Sequence, residues 1–151
     1  MSVYDKLKAL DVSLPGMTAP PAAFVPVVRT GDLLFVSGHI ARKEGTPWVG
    51  QLGSTVSTDS GKEAARRTAI DLLGTLHAVT DDLDTIKQIV KVVVLVNSTP
   101  GFTEQHVVAN GASEFLQEVF GAAGAHARSA FGAAQIPFGS CVEIEAIVQV
   151  R

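Results

Sequence analysis

The chain has 151 residues, 46% apolar and 18% charged, with a formal net charge of -3 and a pI near 5.7. That length and composition suit one globular domain with its own hydrophobic core and exclude a disordered chain. Weak acidity, dispersed basic residues and only 6% aromatics leave neither the electrostatic footprint nor the stacking platform of a nucleic-acid binder, and no basic patch for an anionic membrane.

The single cysteine, Cys141, can form no intrachain disulfide, which fits a reducing compartment. The N-terminus, MSVYDKLKALDVSLPG, carries Asp5, Lys6 and Lys8 and no apolar run, so it does not read as a secretory signal. The longest apolar stretch, Val92 to Val96, is too short to span a bilayer. These features predict a soluble, cytoplasmic protein with an N-terminal arm over residues 1–22 and one domain over residues 23–151.

In chain order, residues 2–10 predict a short amphipathic helix with Val3, Leu7 and Leu10 on one side. Pro15, Pro20 and Pro21 then enforce an extended arm. Phe24 to Arg29 reads as a strand that Pro26 confines to an edge or a bulge. Thr30-Gly31-Asp32 is a turn, Leu33 to Ser37 completes a hairpin, and Gly38 ends it. Glu44 to Gly53 is a loop with room for a short strand. Ser60-x-x-Glu63 is a capping-box pattern with Ser60 as N-cap, opening a helix whose stripe is Ala65, Ala69, Leu72, Leu76 and Val79. Asp81 to Asp84 ends that helix.

Ile86 to Val96 is rich in β-branched residues and nearly all apolar, the pattern of a central strand covered on both faces. Thr99-Pro100 predicts a cap and an N1 proline for a second helix. Its stripe is Val108, Ala112, Phe115 and Val119, and Gly121 supplies a C-terminal stop. The last segment, from His126 to Arg151, reads as two apolar strands folded back as a hairpin around Ile136-Pro137-Phe138-Gly139. The order β-β-α-β-α-β-β implies an α+β fold, one sheet with both helices on one face. The other face then needs a cover, and a partner subunit is the natural one.

Arg128 stands out in the first strand of that last segment. Its neighbours Ala127, Ser129, Ala130, Gly132, Ala133 and Ala134 are small, which leaves space for close packing or for a ligand. A guanidinium grips a carboxylate through two parallel hydrogen bonds, but from spacing alone a structural Arg-Glu pair inside the sheet or across an interface is the first reading. Glu143 and Glu145 lie two apart on one strand face with Cys141, opposite Val142, Ile144 and Ala146. They are either solvated at an edge or able to position water. The simple hairpin register does not set Glu143 opposite Arg128, so a pairing needs a bulge, a ligand or an interface.

Other residues carry weaker signals. His39, His77, His106 and His126 have no metal-ligand spacing on one helix face, and no second cysteine is present, so no zinc site is expected. Asn110 sits mid-helix near the apolar stripe, either exposed, capping or touching a ligand. Ser60-Gly61-Lys62 lacks the upstream glycine of a P-loop. Ser37-Gly38-His39 has no acidic partner that marks a hydrolase triad. Cys141 reads as buried and inert.

Gly31-Asp32-Leu33-Leu34-Phe35-Val36-Ser37-Gly38, Asn110, Ala127-Arg128-Ser129, Ile136-Pro137 and Val142-Glu143-Ile144-Glu145-Ala146 together resemble the Rid family. These are the YjgF-type imine/enamine deaminases, also labelled endoribonuclease L-PSP, and the longer arm resembles one of their subgroups. The resemblance runs from about Phe24 to Val150. It implies a chorismate-mutase-like fold and a homotrimer with clefts between subunits. It also implies hydrolysis of small 2-imino or enamine acids to 2-keto acids and ammonia, with no metal or organic cofactor. Arg128 then matches the carboxylate-holding arginine and Glu143 the water-handling glutamate. Asn110 and the Ser37-Gly38 turn line the cleft, together with Phe24 and Ala130. At these last two positions the family's best-studied members carry tyrosine and cysteine, so this cleft is expected to be more open and less polar. A non-catalytic module for small carboxylic acids and an endoribonuclease are the alternatives. A chorismate mutase shares only the fold.

Overall fold

The computed structural model describes residues 1–17, 20 and 22–151. The first hairpin forms as its sequence dictates: β1, Val27–Thr30, pairs antiparallel with β2, Leu33–Ile40. Gly31 turns the chain with a φ of 59°, a conformation that favours glycine. β1 is a sheet edge, with Pro26 just before it, where a missing N–H costs nothing. Gly38 does not end the second strand. β2 runs on to Ile40 through a register shift between Val36 and His39, so Ser37 and Gly38 form a bulge inside it. A small ribbon follows, β3 (Arg42–Lys43) with β4 (Thr46–Pro47).

The first long helix, α2 (Thr58–Thr80), starts a turn earlier than the capping-box pattern suggests. Ser57 is its N-cap, and the Ser57 Oγ accepts from the Ser60 N–H at 3.2 Å. Glu63 instead accepts from Arg67 Nε at 3.1 Å, one helical turn on. The stripe Ala65, Ala69, Leu72 and Leu76 is buried, but Val79 is 41% exposed because the helix end overhangs the core. The second long helix, α3 (Gln105–Phe120), begins after Glu104, so Pro100 lies in the preceding loop and is not its N1 residue. Its expected stripe is buried, and Gly121 terminates it with a φ of 62°.

The N-terminal helix α1, Val3–Ala9, is capped by Ser2 and buries Val3 and Leu7. Tyr4 Oη accepts from the Leu83 N–H at 2.7 Å and lies 2.9 Å from His77 Nδ1, and the Val3 N–H donates to Asp84 Oδ1 at 2.9 Å. These bonds fasten the start of the chain to the far end of α2. Pro15 continues from it, with its carbonyl against Gly74. Pro21 lies outside the described residues.

The largest difference from the sequence reading concerns β6 (Ala127–Ala133) and β7 (Val142–Val150). They are not a hairpin. The strand order is β1-β2-β7-β5-β6, with β5 (Ile86–Asn97) between them. β7 pairs antiparallel with both β2 and β5, while β6 pairs parallel with β5 across the α3 crossover. The segment Pro137–Gly139 is a short 3-10 turn in which Phe138 has a φ of 61°. It carries the chain past the end of β5 instead of folding it back. Two apolar runs around a turn motif look alike whether they pair or straddle a third strand.

The result is an α+β fold, with one mixed five-stranded sheet and α2 and α3 on one face. Leu34, Val36, Val92, Val94, Ile144, Ala146 and Val148 point into the helix layer and are buried. β5 is covered by helices on that face alone, so Val93 and Leu95 on the other face are only part-buried. On that open face Val28, Phe35 and Phe131 are 54%, 42% and 48% exposed.

Candidate active site around Arg128 and Glu143

Arg128 lies on the edge strand β6, level with Val92, which is itself level with Ala146. That row faces the helices, so the guanidinium is directed towards α3 and is part-buried there. Its Nη1 donates to Asn110 Oδ1 at 2.8 Å and to Ser113 Oγ at 3.1 Å, and its Nη2 donates to the His106 carbonyl at 3.3 Å. Ser113 Oγ lies 2.9 Å from His126 Nε2, and His126 Nδ1 lies 2.7 Å from the Gly124 carbonyl. Gln88 holds the turn entering β6 by donating to the carbonyls of Ala123 and Ala125.

Every partner of Arg128 is neutral. Among the described residues the ion pairs are Lys62–Glu114 and Arg67–Glu63, so the structural Arg-Glu pair left open by the sequence is not formed within the chain. Asn110 is neither a cap nor an exposed amide but the closest partner of Arg128. Ser113 and His126 escaped the sequence reading as site residues. The available signal was the three-residue spacing of Asn110 and Ser113, which puts both on one side of α3.

Glu143 belongs to the opposite face. It stands level with Ile40 on β2 and Leu95 on β5, and Leu95 is level with Phe131 on β6. Its carboxylate lies against the bulge of β2: a β-carbon on Gly38 would sit 2.5 Å from Glu143 Oε1. The bulge is tied down by Ser37, whose Oγ donates to the Val25 carbonyl at 2.7 Å and whose N–H donates to the Pro26 carbonyl at 2.9 Å. Partial burial of the Glu143 carboxyl raises its pKa above the ordinary glutamate value, and the like charge of Glu145 raises it further. Glu145 is exposed.

Arg128 and Glu143 therefore do not meet within one chain. They occupy opposite sides of the sheet, with β5 between their strands. Asn110 and Ala130 sit on the Arg128 side, since Ala130 is level with the buried Val94. Ser37 and Gly38 sit with Glu143. Phe24 is 52% exposed just before β1. The apolar void under the helices, lined by Leu72, Val92 and Ile144 among others, contains no residue of either half. Nor does the charged groove between α2 and α3 around Lys62, Arg66 and Glu114.

Burial shifts two other titratable groups. Cys141 precedes β7 and is fully buried instead of sharing the part-open face of Glu143, and burial pushes its thiol up to about 11. His39 is pushed down to about 4 by burial and then by the charge of Arg42. Among the described residues no group of three or more His, Cys, Asp or Glu side chains is placed to hold a metal ion. No described helix is long and apolar enough to cross a membrane.

The family model for endoribonuclease L-PSP matches residues 16–150. Protein TCP17 of Trypanosoma cruzi is 43% identical over 151 residues, covering 99% of this chain and 94% of that protein. The crystal structure of Atu1372 from Agrobacterium tumefaciens, a protein with unknown function, is 38% identical with a TM-score of 0.91, covering 99% of this chain and 93% of that one. That of a candidate endoribonuclease from Shewanella oneidensis is 26% identical with a TM-score of 0.95, covering 99% and 100%. The chain belongs to the endoribonuclease L-PSP (YjgF/Rid) family, as its motifs suggested.

Proposed function

We propose that this protein hydrolyses small 2-imino acids and their enamine tautomers to 2-keto acids and ammonia, with no cofactor. The observation that carries the proposal is the ion-pair-free, part-buried Arg128. A cation held only by neutral groups keeps its full charge for an incoming anion, and a guanidinium edge matches a carboxylate. Glu143 supplies the second half, a carboxylate of raised pKa able to take and return a proton.

In this reading Arg128 holds the substrate carboxylate and Glu143 orients a water against the C=N carbon. The water oxygen bonds to that carbon as one of its protons passes by way of Glu143 to the imine nitrogen, giving a carbinolamine. The carbinolamine then collapses: Glu143 takes the hydroxyl proton and hands it to the amine nitrogen, C=O forms, the C–N bond breaks and ammonia leaves. An imine is already electrophilic, so orientation and a charge-matched anchor supply much of what is needed. Because the two halves lie on opposite faces of one chain, each site takes Arg128 from one copy and Glu143 from its neighbour. A homotrimer whose open sheet faces meet at its centre accommodates this, covering Val28, Phe35 and Phe131.

The test is subunit mixing. Arg128→Ala and Glu143→Gln homo-oligomers are expected to be inactive on 2-aminoacrylate generated in situ. Co-assembled from equal parts, they are expected to regain about a quarter of wild-type activity, because random pairing rebuilds that share of shared sites. No recovery from well-mixed oligomers refutes the shared site.

The separation of Arg128 from Glu143 within the chain also fits a non-catalytic carboxylate binder. Saturable binding of 2-keto acids with no turnover on any imine selects that reading. RNA cleavage, named in the family label and in that of the Shewanella relative, is selected if repurified Arg128→Ala protein still cleaves RNA.

A further inference from the structure

We infer that Ser113 and His126 are positioning residues, which confine a bound carboxylate to one edge of the Arg128 guanidinium. This rests on the reading of Arg128 as a carboxylate clamp and extends it to two residues outside the family motifs.

The directions of the hydrogen bonds follow from what each atom can give. A carbonyl only accepts, so His126 Nδ1, 2.7 Å from the Gly124 oxygen, carries a proton. Arg128 Nη1 only donates, so Ser113 Oγ accepts from it at 3.1 Å. The remaining contact, Ser113 Oγ to His126 Nε2 at 2.9 Å, can run either way. If His126 is neutral, the serine proton goes to Nε2. Every proton along Arg128, Ser113, His126 and Gly124 then has one acceptor. If His126 is an imidazolium, Ser113 Oγ receives two donors and its own proton has no acceptor among its partners. Two cations would also flank one hydroxyl. The geometry therefore fits a neutral His126 protonated on Nδ1.

The consequence falls on Arg128. A guanidinium has five N–H donors. Asn110 and Ser113 occupy both donors of Nη1, and the His106 carbonyl occupies one of Nη2. The Nε–H and the second Nη2–H have no acceptor among the described residues, and with the His106 carbonyl on the Nη2–H nearer Nη1 they lie side by side on one edge of the planar group. Their spacing suits the two oxygens of one carboxylate. Ser113, backed by His126, closes the alternative edge that includes Nη1. The charge on Arg128 stays uncompensated, since the chain ends on a neutral carbonyl.

The experiment is calorimetric titration of the assembled protein with 2-oxobutyrate, a small 2-keto acid, beside nitrogen NMR of the His126 ring and the Arg128 guanidinium. Arg128→Ala is expected to abolish binding. Ser113→Ala and His126→Ala are each expected to weaken it about tenfold. The double variant is expected to bind as Ser113→Ala does, because His126 acts through the serine. His126→Gln, which returns an acceptor near Nε2, is expected to recover most of the loss. The ring should carry its proton on Nδ1 with Nε2 as the acceptor, and Ser113→Ala should shift the Nη1 resonances of Arg128. Additive losses, an unchanged affinity in Ser113→Ala, or a His126 protonated on Nε2 overturns the inference. Binding that survives Arg128→Ala removes the clamp reading instead, and the ring tautomer still decides the hydrogen-bond chain separately.

Discussion

Gly38 and Glu143 share one volume: the Glu143 carboxylate fills the place where a β-carbon on residue 38 would stand, 2.5 Å from Oε1. The bulge at Ser37 and Gly38 thus serves to seat the carboxylate against bare backbone. Gly38 is exposed and has no left-handed φ, so its glycine is required by this contact and not by backbone strain. Gly38→Ala should displace the carboxylate, which is the free end of a flexible side chain, while leaving the sheet intact. The expected outcome is a loss of imine hydrolysis of about tenfold or more, since misplacing a reacting group by about 1 Å is costly. The melting temperature should change little. Wild-type rates in Gly38→Ala would remove Glu143 from the reaction.

Arg128→Lys keeps the charge and loses the planar fork. A hydrogen bond to a charged group contributes about 1.5–3 kcal/mol, so losing a two-point grip should lower kcat/KM by roughly 10²-fold or more. The change should appear in substrates that carry a carboxylate and be small for an imine without one. Equal losses on both substrate types would show that Arg128 acts otherwise than as a carboxylate clamp.

In the proposed reaction the raised pKa of Glu143 should set the acid limb of activity. A water-handling carboxylate must be ionised, so activity should rise as pH increases through the Glu143 pKa, at a midpoint above the ordinary glutamate value of 4.5. Glu145→Gln removes the smaller of the two causes and should move this limb to lower pH without abolishing it. A limb that stays in place shows that burial alone sets the pKa.

His39 should dominate part of the acid sensitivity of the fold. Its pKa falls from 6.5 to about 4 on folding, so the unfolded chain binds the extra proton between those values. Stability is therefore fully present above pH 6.5 and is lost as pH falls towards 4. The loss from this group is at most on the order of 3 kcal/mol. Asp71, whose pKa is raised by burial, works in the opposite sense at the acid end of this window. Denaturant midpoints of His39→Gln measured across this range should show a flatter acid decline than wild type.

Tyr4→Phe should test how firmly α1 is fastened. It removes the acceptor for the N–H of the fully buried Leu83 and the partner of His77 Nδ1. An unsatisfied buried group costs about 1–3 kcal/mol, which should appear as a lower denaturant midpoint. A midpoint equal to wild type shows that apolar contacts of Val3 and Leu7 alone hold the helix.

Much of the fold is legible in the sequence because its signals are local. The stripes of α2 and α3, the Gly31 turn and the Gly121 stop depend on spacing and on backbone freedom, which a sequence displays directly. Ser57 took the cap expected of Ser60, and the Pro100 start was wrong, because several nearby residues can cap and tertiary packing chooses among them. The motifs around Arg128 and Glu143 were likewise legible, and they pointed to the family. Strand adjacency was not. The runs of β6 and β7 flank a turn motif as a hairpin's do, and only the insertion of β5 separates them. That long-range pairing decided what local pattern could not: Arg128 turns inward to the neutral groups of α3, and Glu143 turns outward to the bulge at Gly38. The alternation of side chains along a strand fixes which residues share a face. Which face meets the helices, and which strand lies between two charges, is fixed only when the sheet assembles.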